Sequence, residues 1–198
     1  MSSNKRQSIV PRVQSGPKAP VNFSQSIIIA DSALLTGNHT INISSESVVH
    51  PRAKLDSSNG RITIGRRCIV HERTSLGALS ADPRPSETRD GVFIGDYVTI
   101  EVSSVLESGG TQIGDGCLIA VGCKIGKGAK LGKYCTLTPQ SVVQPFETIP
   151  DFTVIYSNGT RRIDKRGVSE LKNKVQARQI ETLRRLIPSN PNKFLSPQ

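Results

Sequence analysis

Aliphatic residues recur at every sixth position through the C-terminal half of the chain. Eight of them follow one another without a gap: Ile113, Ile119, Ile125, Leu131, Leu137, Val143, Ile149 and Ile155. A period of six matches neither the two-residue alternation of a half-buried strand nor the 3.6-residue period of an amphipathic helix. It is typical of hexapeptide repeats, in which short strands and corners coil into a stacked prism. The pattern therefore predicts an all-β fold, a parallel β-helix of hexapeptide repeats.

The same period extends towards the N-terminus with small slips of register. Further hexads start at Leu35, Ile43, Val49, Leu55, Ile64, Val70, Leu76, Ile94, Ile100 and Leu106. The phase breaks between residues 78 and 92, where Pro83, Pro85 and Gly91 predict a protruding loop. At three hexads per turn, the repeats predict about six coils over residues 27–157.

Each hexad repeats the same physical requirements. The first position is aliphatic and points into the core, whereas the second is often glycine and predicts a corner where a Cβ is unwelcome. The fifth position also faces inward and needs a small side chain. All four cysteines occupy it: Cys68, Cys117, Cys123 and Cys135. The repeat thus explains their spacing, and we expect small buried thiols rather than metal ligands or disulfides.

The two ends of the chain depart from the hexad pattern. Residues 1–26 predict a basic flexible arm, and residues 158–198 predict a linker, a helix over about 168–187 and a tail. In this helix Ser169 is a candidate N-cap and Pro188 ends the run. The predicted apolar stripe consists of Val168, Leu171, Val175, Ile180, Leu183 and Ile187. We expect the helix to lie along one face of the prism or to cover its last coil, whose edge would otherwise be unpaired.

The formal net charge of +10 is concentrated at the ends of the chain. Residues 1–26 carry +4, residues 161–198 carry +7, and the body between them is nearly neutral. Neither end interleaves aromatic residues for base stacking, so we expect no specific nucleic-acid binding. The apolar runs are too short for a membrane span, and the N-terminus has no signal-peptide core, which favours a cytoplasmic protein.

The histidines His39, His50 and His71 are the candidates for catalysis. A zinc hydratase of the carbonic anhydrase kind needs three converging nitrogen ligands, and the separations of 11 and 21 residues offer no matching pair. An acyltransferase needs a histidine base and a channel for its thioester donor. His50 and His71 both occupy outward-facing second positions, where a corner histidine bonded to a neighbouring coil or to water is the simpler interpretation. The sequence therefore predicts a protein without catalytic residues, cofactor or metal.

The C-terminal third carries a more specific resemblance. The segment Phe152-Thr153-Val154-Ile155-Tyr156 is followed by Arg161-Arg162 and by a terminal helix that ends in Leu186-Ile187-Pro188. Together with the hexad Val49-His50-Pro51-Arg52-Ala53 and the proline-bearing acidic loop, these motifs resemble the β-helical subunits of the dynactin pointed-end complex. The resemblance covers nearly all of the chain from residue 27.

This resemblance implies a left-handed coil and a non-catalytic adaptor role in dynein-driven microtubule transport. The implied partners are the sister β-helical dynactin subunit (subunit five), the other pointed-end subunits and the actin-related filament end, with dynein cargo adaptors engaged indirectly. The implied location is cytoplasmic and associated with the cytoskeleton. The alternative is an enzyme, either a hexapeptide-repeat acyltransferase or a relative of the γ-carbonic anhydrases.

Two further segments are candidates for interaction and regulation. The loop over residues 78–92 projects from a rigid wall, so we expect Arg84, Arg89 and Asp90 to contact a partner. Ser196 precedes Pro197 and forms a minimal proline-directed phosphorylation site, where a phosphate would offset the local basic charge.

Overall fold

The computed structural model describes residues 16–82 and 91–195, which form 21 short strands, β1 to β21 in chain order, and one α-helix, α1 (Ser169–Leu186). The strands lie in three sheets that make the faces of a left-handed parallel β-helix. Six coils contribute a strand to every sheet, and a partial seventh adds two more. The hexad period therefore predicted the fold class and the number of coils correctly.

The first sheet contains β1 (Val21–Phe23), β4 (Ile41–Ile43), β7 (Ile62–Ile64), β10 (Val92–Ile94), β13 (Thr111–Ile113), β16 (Lys130–Leu131) and β19 (Thr148–Ile149). The second contains β2 (Ile28–Ile29), β5 (Val48–Val49), β8 (Ile69–Val70), β11 (Thr99–Ile100), β14 (Leu118–Ile119), β17 (Thr136–Leu137), β20 (Thr153–Ile155) and β21 (Arg161–Ile163). The third contains β3 (Leu34–Thr36), β6 (Lys54–Asp56), β9 (Ser75–Ala78), β12 (Val105–Glu107), β15 (Lys124–Ile125) and β18 (Val142–Val143).

The core is a set of aliphatic columns along the axis of the prism. In the second sheet Ile29, Val49, Val70, Ile100, Ile119, Leu137 and Ile155 follow one another from coil to coil, all buried. The four cysteines are buried and free, as expected from their shared hexad position. Their thiols donate to carbonyls of the next coil, for example Cys117 Sγ to the Gly132 oxygen at 3.1 Å. Burial raises the pKa of Cys68 to about 12, which keeps that thiol protonated and unreactive.

The corners depend on two different positions of the hexad. At the fourth position the backbone takes a positive φ near 60°, even where the residue is Arg67, Tyr97 or Phe152. The second-position glycines have a different role, because a Cβ on Gly114 would lie 2.6 Å from the carbonyl carbon of Gly132 in the next coil. Close approach of neighbouring coils, rather than a special φ, therefore requires glycine at the second position.

The ends of the chain differ in detail from the sequence-based boundaries. β1 and the buried Ala19 lie within residues 1–26, so the coil begins earlier than predicted. β21, in the segment predicted as a linker, pairs antiparallel with β20 and covers that edge. Val168 rather than Ser169 occupies the N-cap of α1 and makes no side-chain capping bond. The helix bounds Ser169–Leu186 otherwise match the prediction.

Several sequence-based candidates lie outside the described residues. These are the proposed partner contacts Arg84, Arg89 and Asp90 and the candidate phosphorylation site Ser196. Of the helices in the described ranges, none has the length and apolar character that a membrane crossing requires.

Two adjacent valines in β18 provide a test of the inward and outward assignment. Val143 is 1% exposed and lies in the core, whereas Val142 is 48% exposed on the outer surface. We expect Val143→Ala to lower the free energy of unfolding by about 2–3 kcal/mol, because it removes buried methyl groups and leaves a cavity. Val142→Ala should change it by less than about 0.5 kcal/mol. Urea unfolding of both variants measures the difference, and equal losses would contradict the assignment.

Candidate functional site

A groove runs between the second sheet and helix α1. It encloses about 670 Å³ and is lined mainly by apolar side chains. The β-helix contributes His71, Thr99, Glu101, Val102, Gly116, Cys117, Leu118 and Val121. The helix and its N-cap residue contribute Val168, Leu171, Lys172, Val175, Gln176 and Gln179. Apolar clefts that contain a few polar groups are the usual form of small-molecule sites.

The groove exists because α1 packs closely on the prism at one end only. Ile180, 2% exposed, joins a small apolar cluster with Ile28, Val48 and Ile69 on the outer surface of the first three coils. In the next two coils the wall residues are Thr99 and Leu118, in register with Ile69. Beside these two coils, no side chain of α1 is fully buried.

Two hydrogen bonds attach the N-terminal part of the helix to the β-helix. Gln176 Nε2 donates to the Arg67 carbonyl at 2.8 Å, and Asn173 Nδ2 donates to the Tyr134 hydroxyl at 3.3 Å. Leu171 and Val175 on the same segment remain 62% and 57% exposed. The helix thus stays attached to the wall while its aliphatic side chains face open space.

Three titratable side chains share one corner of three successive coils. His50, His71 and Glu101 each follow the last residue of a second-sheet strand, and the backbone N–H of His71 donates to the Ile100 carbonyl at 2.9 Å. The imidazole rings of His50 and His71 are stacked, with centroids 4.5 Å apart and planes at 25°. Glu101 Oε2 accepts a hydrogen bond from the Val121 N–H at 3.1 Å. His71 and Glu101 both line the groove.

Burial keeps both imidazoles neutral. It lowers the pKa of His50 to about 4, with a further contribution from the neighbouring His71 and opposition from Glu72. His50 Nε2 is buried without a hydrogen-bond partner in the described structure. Burial also lowers the pKa of His71, and the charges of Glu101 and Glu72 oppose this effect. At neutral pH His71 is therefore a neutral imidazole, one coil before the carboxylate of Glu101.

The sequence carries part of the signal for this cluster, in the separation of His50 from His71. His50 and His71 are 21 residues apart, and that separation equals one coil, as in the pairing of Ile41 with Ile62. His71 and Glu101 are 30 residues apart, which also equals one coil there, because the loop after β9 lengthens it. The acidic neighbour of His71 is thus contributed by the next coil rather than by Glu72 alone.

The remaining histidine is elsewhere. Nδ1 of His39 hydrogen-bonds with the Ser57 carbonyl at 2.8 Å, on the side of the prism that carries the loop after β9. Within residues 16–82 and 91–195, no group of three His, Cys, Asp or Glu side chains could hold a metal ion.

Comparisons with known proteins match part of the chain to a hexapeptide-repeat family. The family described as bacterial transferase hexapeptide (six repeats) matches residues 110–145. A search of curated proteins found no match.

Two solved structures share the fold over most of the chain. A hexapeptide transferase family protein from Anaplasma phagocytophilum is 16% identical, with a TM-score of 0.67, over 84% of this chain and 91% of that one. A putative acetyltransferase from Bacillus cereus is 18% identical, with a TM-score of 0.56, over 87% of this chain and 99% of that one. At these identities the likeness establishes the fold, and any activity depends on the residues of the groove.

These matches correct the expectation of a non-catalytic dynactin adaptor. The matching family and both solved structures carry the names of transferases, so the prediction that the chain is not an enzyme was wrong as well. The physical reason for the error is that His50, His71 and Glu101 look isolated along the chain but meet at one corner of the coil. The resemblance to pointed-end subunits, the partners it implies and the cytoplasmic location stay predictions, because none of the matches bears on them.

The buried His50 makes stability depend on pH. The unfolded chain protonates His50 near pH 6.5, whereas the folded protein resists protonation until about pH 4, so acidification through this window favours unfolding. We expect His50→Gln to reduce the stability lost between pH 7 and pH 4 by on the order of 1–2 kcal/mol, a figure that allows for partial solvent screening.

Urea unfolding at several pH values in that window measures the effect. His39→Gln, at a different corner, is the matched control and should lose stability on acidification as the unmodified protein does. A His50→Gln profile parallel to that of the unmodified protein at every pH would show that His50 is not the group responsible.

Proposed function

We propose that the protein is an acyltransferase that moves an acyl group from a thioester donor to a hydroxyl or amine acceptor, with His71 as the general base. The observation that carries this proposal is the placement of a neutral His71 beside Glu101 at the edge of an apolar groove. A general base works best when it is unprotonated at the working pH and within reach of bound substrate. The matches to transferases of the same fold support the same class of reaction.

The reaction needs one proton to move twice. His71 takes the proton from the acceptor as its oxygen or nitrogen attacks the thioester carbonyl carbon. The tetrahedral intermediate then collapses, the carbon–sulfur bond breaks, and the imidazolium of His71 returns the proton to the departing thiolate. The acceptor ends as an ester or amide and the donor as a free thiol, so no oxidant or metal is required.

Glu101 and His50 have supporting roles in this scheme. The carboxylate of Glu101 raises the pKa of His71 and so stabilises the imidazolium that forms during transfer. His50 acts as a positioning residue, because its ring stacks on that of His71 at 4.5 Å and fixes its orientation.

Replacement of His71 tests the proposed base. We expect His71→Ala to lower the rate of acceptor-dependent thiol release from acyl-coenzyme A about 10²- to 10⁴-fold, the usual contribution of a positioned base. A thiol-reactive dye measures the release, with a panel of amine and hydroxyl acceptors and acetyl and octanoyl donors. His39→Ala should keep full activity because His39 lies at a separate corner. Full activity in His71→Ala, or no release with any acceptor from the unmodified protein, would reject the proposal.

The pH profile offers a second test of the same base. Since burial lowers the pKa of His71 below its ordinary value of 6.5, kcat/KM should be level at neutral pH and fall only on acidification below 6.5. Glu101→Gln removes a charge that raises this pKa, so the acidic limb should move to still lower pH. An unchanged or upward-shifted limb in Glu101→Gln would contradict the pairing of Glu101 with His71.

A further inference from the structure

Aliphatic side chains from two elements face each other across the groove. Val102, Leu118 and Val121 line it from the β-helix, and Val168, Leu171 and Val175 line it from α1 and the residue before it. Val121, Leu171 and Val175 are 44%, 62% and 57% exposed. Such exposed aliphatic surface is costly in water, and covering it with an apolar ligand would be favourable.

The shape of the groove suits a flexible chain better than a flat ring. It follows the helix from Val168 to Gln179, a distance of about 16 Å at the rise of an α-helix. No Phe or Tyr is among its described lining residues, so the part of the chain that the structure describes offers no aromatic surface for stacking there. The polar groups His71 and Glu101 come from the third and fourth coils, whereas Val121 and Leu118 come from the fifth.

We infer that the groove receives the linear acyl chain of the donor and makes the enzyme selective for chains much longer than acetyl. This inference rests on the proposed function, since it places the thioester carbonyl beside His71. The chain then extends over Leu118 towards Val121 and Val168, between the wall and the helix. Leu171 and Val175 act as specificity-determining residues, because they form the helix side of the channel.

A series of donors of increasing chain length tests this inference. Acetyl-, butyryl-, octanoyl- and dodecanoyl-coenzyme A are titrated into the full-length protein by isothermal calorimetry, and acceptor-dependent thiol release is measured with each. We expect the affinity to rise by up to about fourfold for each added methylene until the chain fills the groove, because each buried methylene adds favourable free energy of transfer from water.

Two leucines on the same helix provide a matched pair of variants. Leu171→Glu places a charge in the channel and should remove the dependence of donor binding on chain length. Leu186→Glu is the control, because Leu186 is 69% exposed on the same helix but does not line this groove. Circular dichroism and thermal melting establish that both variants are folded, and Val175→Glu replaces Leu171→Glu if the latter unfolds.

The outcomes separate this inference from the proposed function. Thiol release that proceeds equally well with all chain lengths would overturn the inference and leave acyl transfer standing. Chain-length-dependent binding that Leu171→Glu abolishes, without any acyl transfer, would support the groove as an aliphatic site and reject the enzyme. Equal losses in Leu171→Glu and Leu186→Glu, or no dependence of binding on chain length, would also overturn the inference.

Discussion

Hydrogen bonds between successive coils are the constraint on which the rest of the structure depends. In the second sheet the backbone N–H of Ile69 donates to the Val98 carbonyl at 2.9 Å, and that of Thr99 donates to the Cys117 carbonyl at 3.0 Å. Because each coil pairs with the next in this way, every hexad position lies directly over its counterpart. Aliphatic residues, thiols, glycines and corner residues therefore form separate columns along the prism.

Because the coils stack, side chains that are far apart in the sequence become neighbours in space. A residue has as neighbours the residues one coil before and one coil after it, whatever their distance along the chain. That distance varies, since Val21 pairs with Ile41, Ile62 pairs with Val92 and Lys130 pairs with Thr148. The His50–His71–Glu101 corner arises in this way, from two coils of unequal length.

Helix α1 supplies the other side of the candidate site. Its C-terminal part is fixed by the burial of Ile180, and Ser189, just beyond its end, accepts a hydrogen bond from the Ile29 N–H at 2.9 Å. Its N-terminal part is held by polar contacts such as Gln176 to the Arg67 carbonyl. A groove thus forms where Thr99 and Leu118 replace the isoleucine and valine surface that packs against Ile180.

The sequence by itself determined the repeat, the inward aliphatic residues, the small buried thiols and the terminal helix. Each of these depends on a periodic requirement that one strand or one helical turn imposes on its own residues. Only the tertiary structure decided which corner residues meet and how far the helix lies from the wall. Corner neighbours depend on the length of each coil, which the loop after β9 changes, and the helix position depends on side chains from several coils at once. For this reason the core could be predicted from residues such as Ile119, whereas the pairing of His71 with Glu101 could not.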